Sequence, residues 1–161
     1  MDFIEPAIAV NLGAVIVTAL AGAWITEIGP WYRALKKPSW QPPDWAFGPA
    51  WSTIFLCAAW AGVLAWRAPN FVEHRTMVIA AFASNYVLNM VWSYLFFRRR
   101  RPDWAMVEVI PFFFTIVWMM VAVAPLSSTA VLLLVPYLCW VSFATVLNAT
   151  IIKLNHPFDR P

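Results

Sequence analysis

The 161-residue sequence has little charge: 11 Lys and Arg and 8 Asp and Glu, together 12% of the chain, about half the ~25% usual in a soluble domain. With 62% hydrophobic residues, too few polar side chains remain to cover an apolar core, which excludes a water-soluble domain. Glycine is scarce at 5 residues and cysteine at 2. Cys57 and Cys139 stand far apart in apolar stretches, with no CxxC pair and no histidine at zinc-ligand spacing, so neither a disulfide scaffold nor a metal site is expected. His74 and His156 lie at the ends of apolar runs near water, poor positions for axial haem ligation. The net charge of +3 is too small and too dispersed for a nucleic acid partner, which needs a clustered basic face.

What is abundant is tryptophan, 11 residues, and proline, 13. Five apolar segments emerge: Ala7 to Ile25, Phe47 to Trp66, Met77 to Phe97, Trp104 to Ala124 and Thr129 to Ile152. Each is long enough to cross a bilayer, which takes about 20 residues. Hydrocarbon offers no partner for backbone N–H and C=O groups, and the segments lack the alternation of a β-barrel, so they are read as helices. The expected fold is all-α and integral to the lipid bilayer: a five-transmembrane-helix bundle with a Pro/Trp-rich first loop, residues 1–161 forming one domain. Asp2 and Glu5 precede the first segment, the reverse of a signal peptide's basic start, so that segment is expected to persist in the mature protein.

Orientation follows from Lys and Arg in alternate connections. One side carries only Arg67 and Arg75; the other carries Arg33, Lys36 and Lys37, then Arg98 to Arg101, then Lys153 and Arg160. The expectation is an outside N-terminus, with the first loop and the C-terminus in the cytoplasm. The four consecutive arginines then serve as a topology signal rather than an anion site.

The first loop holds the densest motif: Trp31-Tyr32-x2-Leu35-x-Lys37-Pro38-x-Trp40-x-Pro42-Pro43-x3-Phe47-x3-Trp51, with Trp45 and Pro49 inside it. Proline forbids a continuous helix there, so the loop is stiff and shaped. Further along stand Asn89-x2-Trp92-x3-Phe96-Phe97, Pro136-Tyr137-x2-Trp140 and Ala144-x2-Leu147-Asn148. Together these resemble the signature of the translocator protein family, also called tryptophan-rich sensory proteins or peripheral-type benzodiazepine receptors (TspO/MBR), over essentially the whole chain. The resemblance implies a ligand cavity among five helices beneath the first loop, binding porphyrins and, especially in animal members, cholesterol, and it implies a homodimer. Carried over by motif, the cavity candidates are Trp40, Trp51, Asn89, Trp92, Trp104, Trp140, Ala144, Leu147 and Asn148. At the end of the last helix, where animal members carry a cholesterol pattern with Tyr and Arg, Ala149 and Lys153 stand instead.

Depth arithmetic points the same way without the family. At about 1.5 Å per residue, Trp51, Asn89, Trp92, Trp104, Trp140 and Asn148 all fall in the half of the bundle beneath the Pro-rich loop. Asn85, Asn89 and Trp92 share one helical stripe, and Trp140, Ala144 and Asn148 another. Polar residues that lipid disfavours should turn inward with those indoles. The single-residue alternatives are plainer: Trp24, Trp60, Trp66 and Trp118 read as interfacial anchors, Asn85 as a bond between helices, and Glu108 as a carboxylate that reaches the surface or pairs with an arginine of the 98–101 run. Two small-residue patterns, Ala58-x3-Gly62 and Ala80-x3-Ser84, allow close helix packing.

An apolar, flat-walled pocket suits a porphyrin, a sterol-like molecule or another planar hydrophobic ligand, since Trp combines a broad stacking face with one N–H. The leading expectation is a membrane receptor or carrier of tetrapyrroles with a sensory or regulatory role, needing no cofactor and no catalytic residue. The alternative, which the resemblance implies through an activity proposed for bacterial members, is light- and oxygen-dependent porphyrin breakdown, with Trp51 and Trp140 as its reactive residues. A small-molecule or sterol transporter is third; proton coupling would need a deep charge, and Glu108 is shallow.

Overall fold

The structure, a computed structural model, describes residues 4–158. Arg160, counted in the charge tally, and Asp2 lie outside the described residues. Six helices follow in order: α1 Ile4–Ile25, α2 Pro30–Ala34, α3 Asp44–Trp66, α4 Phe71–Ser93, α5 Pro102–Val123 and α6 Ser128–Asn155. All except the five-residue α2 are long and apolar enough to cross a membrane.

Local chemistry sets the boundaries. Pro30 opens α2 and Pro102 opens α5, positions where the missing N–H has no intrahelical partner to lose. Between α2 and α3, Pro38, Pro42 and Pro43 keep the chain extended or turned. The loop expected to be without a continuous helix thus contains one short turn of it. Ser127 caps α6, its Oγ accepting from the Ala130 N–H at 3.2 Å. At its far end α4 widens into a π-type turn, Tyr94–Arg98, and Arg100 at φ 54° takes the left-handed conformation that stops the helix.

One boundary differs appreciably from expectation. Helix α4 begins at Phe71 rather than Met77, so Glu73, His74 and Arg75 belong to its first turns. Polarity there marks where a continuous helix leaves hydrocarbon, not where it ends.

The spans close into a ring in the order α1, α3, α6, α5, α4, with α4 returning to α1. The interior between α1, α3 and α4 is built from small side chains, Ala58, Ala59, Ala61 and Ala65 among them. At Gly62 the approach is closest: a Cβ there would run into the Asn11 side chain. Large side chains such as Val17, Leu20, Val72, Val107 and Leu132 stand exposed on the outer surface, as lipid requires and water would penalise.

The middle of the bundle is tied by polar groups. Tyr137 is 1% exposed; its hydroxyl donates to Asn85 Oδ1 at 3.0 Å and accepts from Asn89 Nδ2 at 3.2 Å. Asn85 Nδ2 donates to Thr115 Oγ1 at 3.0 Å, and that hydroxyl donates to the Phe112 carbonyl at 2.6 Å. Helices α4, α5 and α6 are thereby locked in register where lipid cannot offer a partner.

Candidate functional site

Beneath the loop, the aromatic residues of three spans close around a cavity of about 130 Å³. Trp51 of α3 meets Trp140 of α6 edge to face, centroids 6.4 Å apart, and meets Tyr137 at 6.0 Å. Trp140 is also flanked by Phe47 at 5.7 Å. On the opposite wall Trp92 of α4 stacks on Phe96 at 5.1 Å, held by the π-type turn that brings Phe96 and Phe97 to the same cavity. Such turns insert one residue into a helical repeat and often occur at functional sites. Ala144, Leu147 and Asn148 complete the α6 wall.

Two polar atoms on these walls are buried and without a hydrogen-bond partner among the described residues: Trp92 Nε1, a donor, and Asn148 Oδ1, an acceptor. The other end of Asn148 is occupied, Nδ2 donating to the Pro102 carbonyl at 3.2 Å. Buried polar groups are rarely left unpaired, so this donor and acceptor mark where a ligand of mixed polarity would be held.

The loop is fastened above the cavity. The Tyr32 hydroxyl donates to Asp44 Oδ1 at 3.3 Å and accepts from Gln41 Nε2 at 3.4 Å, while Lys37 Nζ sits 3.8 Å above its ring. Burial, with the Asp44 charge added, pushes the Tyr32 phenol up to about 12, so it remains a neutral donor at physiological pH. Asn155, at the end of α6, clasps Lys36 on both sides: Oδ1 accepts from the Lys36 N–H and Nδ2 donates to the Lys36 carbonyl, each at 2.8 Å.

Of the candidates, Trp51, Trp92, Trp140, Ala144, Leu147 and Asn148 are brought to the cavity. Three are not. Asn89 is at the expected depth but spends its amide on Tyr137. Trp40 is 47% exposed and packs on Phe143 at 5.9 Å. Trp104 is 44% exposed, with the Arg101 guanidinium 4.5 Å over its ring; Ala105, next along α5, takes the inward direction. Glu108 also departs from expectation. Both carboxyl oxygens are buried and lack a hydrogen-bond partner among the described residues. Arg101 instead meets Asp103 through two bonds, and Arg98 reaches Glu27 at 3.4 Å and the Trp24 carbonyl at 2.6 Å. Glu108 lies seven residues from Thr115 and so shares its inward face. Phe47, Phe97, Tyr32 and Asp44 line the cavity without having been singled out; the motifs contained the first three, and spacing alone did not aim them.

The whole-chain pattern is matched by a model of the TspO/MBR family over residues 7–154. The chain belongs to the TspO/MBR family. It is 41% identical over 154 residues to the tryptophan-rich protein TspO of Chlorobaculum tepidum, an alignment covering 92% of this chain and 95% of that one. It is 35% identical to the TspO of Archaeoglobus fulgidus, over 88% of this chain and 92% of the relative. The translocator protein of Homo sapiens is 34% identical over 78% of this chain and 75% of its own. With its five spanning helices, this TspO/MBR protein is an integral multi-pass membrane protein.

Proposed function

We propose that this TspO/MBR protein is a membrane receptor or carrier that binds porphyrins and related planar hydrophobic ligands in the cavity beneath the loop, in a sensory or regulatory role. The observation that carries this reading is the convergence of Trp51, Trp92 and Trp140 from three different spans on one cavity that also presents an unpaired donor and an unpaired acceptor. Stacking faces bind a flat apolar ring system, and the two polar atoms orient its substituents. At about 130 Å³ the cavity is smaller than the roughly 300–1,000 Å³ of sites for drug-sized ligands, so binding displaces part of the wall. The charge tally supports an orientation with the loop and the C-terminus in the cytoplasm and the N-terminus outside, and the reading sets the protein in a bacterial envelope.

Porphyrin breakdown is the second reading, favoured by the direct contact of Trp51 with Trp140. One experiment addresses both. Protoporphyrin is titrated into the purified protein in darkness and under light, following Trp emission and the porphyrin spectrum, for wild type, Trp51→Phe and Trp140→Phe. Saturable quenching without a new spectral product is the expected result. A light-dependent product lost in the variants would establish degradation instead, and absence of quenching would overturn both.

A further inference from the structure

A groove on the outer face of the bundle lies between α3 and α6, lined by Pro49, Thr53 and Ile54 on one side and Pro136, Cys139 and Phe143 on the other. Trp140 lines both this groove and the internal cavity. Both helices are weakened here. Pro49 and Pro136 remove the main-chain bonds that would run to the carbonyls of Trp45 and Leu132. Thr53 turns its hydroxyl back to the Pro49 carbonyl at 2.9 Å, as Ser142 does to Leu138 at 2.8 Å, an arrangement that bends helices. The loop, by contrast, is fastened by the Asn155 clasp and by the contacts of Tyr32 with Asp44, Gln41 and Lys37. Opening from above breaks several polar contacts; opening from the side displaces one ring held by edge contacts to Phe47 and Trp51 and a tilted contact to Phe143.

We propose that hydrophobic ligands reach the cavity sideways from the bilayer, between α3 and α6, with the Trp140 indole as the gate. The route rests on the proposed binding function and adds to it a path and a gating residue. A flat apolar ligand concentrates in lipid rather than water, and this path keeps it in an apolar environment throughout. Swinging the indole outward joins the cavity to the groove while the ligand passes, without lifting the loop, and the indole returns once the ligand is bound.

Cys139, exposed at the groove, provides the test. In a Cys57→Ser background reconstituted in vesicles, Cys139 is blocked with N-cyclohexylmaleimide, and protoporphyrin association and dissociation are timed by Trp quenching. The expected result is that both rates fall together by about tenfold or more, a barrier increase of about 1.4 kcal/mol, while the equilibrium affinity is unchanged. The same label on Val87→Cys, exposed on α4, in a chain otherwise free of cysteine, leaves the rates as they were. Unchanged rates after blocking Cys139, or weaker affinity with an unchanged association rate, would overturn the route. Failure of the binding function itself registers separately, as no quenching before labelling. A ligand-free measurement then still reads the gate: in brominated-lipid vesicles the Trp140 emission, wild type minus Trp140→Phe, is quenched, and blocking Cys139 relieves it. Trp140 emission that brominated lipid does not quench would overturn the proposal whatever the ligand.

Discussion

Removing one oxygen atom from Tyr137 leaves Asn85 Oδ1 and Asn89 Nδ2 without their partner in the middle of the bundle. Tyr137→Phe should therefore lower stability by about 1–3 kcal/mol, the penalty of stranding buried polar groups, read as a lower Tm in detergent. The ring that touches Trp51 is retained, so porphyrin affinity should hardly change. Gly62 gives a second test at the same scale. Gly62→Ala places a methyl group against Asn11 and should cost about 1–3 kcal/mol as overpacking. Asn11→Ala removes the obstacle, so the double variant should recover much of that loss, a coupling that a thermodynamic cycle measures directly. Additive effects would mean that Gly62 is needed for its backbone rather than for Asn11.

Helices were the most legible elements, because a span in hydrocarbon must satisfy its own backbone and twenty apolar residues leave little alternative. Rotation about each helix axis was less legible. Spacing put Trp104 at the right depth, yet Ala105 faces inward and Trp104 lies under Arg101. The stripe Asn85, Asn89 and Trp92 was correctly inward, but nothing in a single sequence says that Tyr137 would take up both amides and leave Trp92 alone with the cavity. Charges at helix ends were read as free to pair with Glu108, whereas Arg98 braces α1 against α4 through Glu27 and the Trp24 carbonyl. The loop makes its own prediction. Asn155→Ala deletes both bonds to the Lys36 backbone, so trypsin should cut after Arg33 or Lys36 several-fold faster, since cleavage tracks local opening. The bundle, whose spans are packed elsewhere, should keep its Tm within about 1 kcal/mol of stability. Unaltered cleavage would show that Tyr32, Asp44 and Lys37 hold the loop without the clasp.

At the scale of the molecule, the direction in which the bundle sits in the membrane decides which compartment faces the loop. Helix α6 has 28 residues, about 42 Å at 1.5 Å per residue, against a hydrocarbon layer of about 30 Å. The helix is thus long enough for its Asn155 end to project past the lipid together with the loop it clasps. Basic residues crowd that same end: Arg33, Lys36 and Lys37, Arg98 to Arg101, and Lys153. The tally survives the earlier start of α4, because Arg75 remains within the first turns of the helix, where the charge bias still counts. Tertiary contacts made by Arg98 do not cancel its vote, since orientation is fixed as the helices insert, before the bundle has packed. Lys36→Cys and Ala68→Cys, each in a chain otherwise free of cysteine, test the result. An impermeant maleimide on intact cells should label Ala68→Cys and reach Lys36→Cys only after permeabilisation. Labelling in the opposite sense would place the loop outside, and equal labelling of both would mean that a tally of two against nine does not bias insertion of this chain.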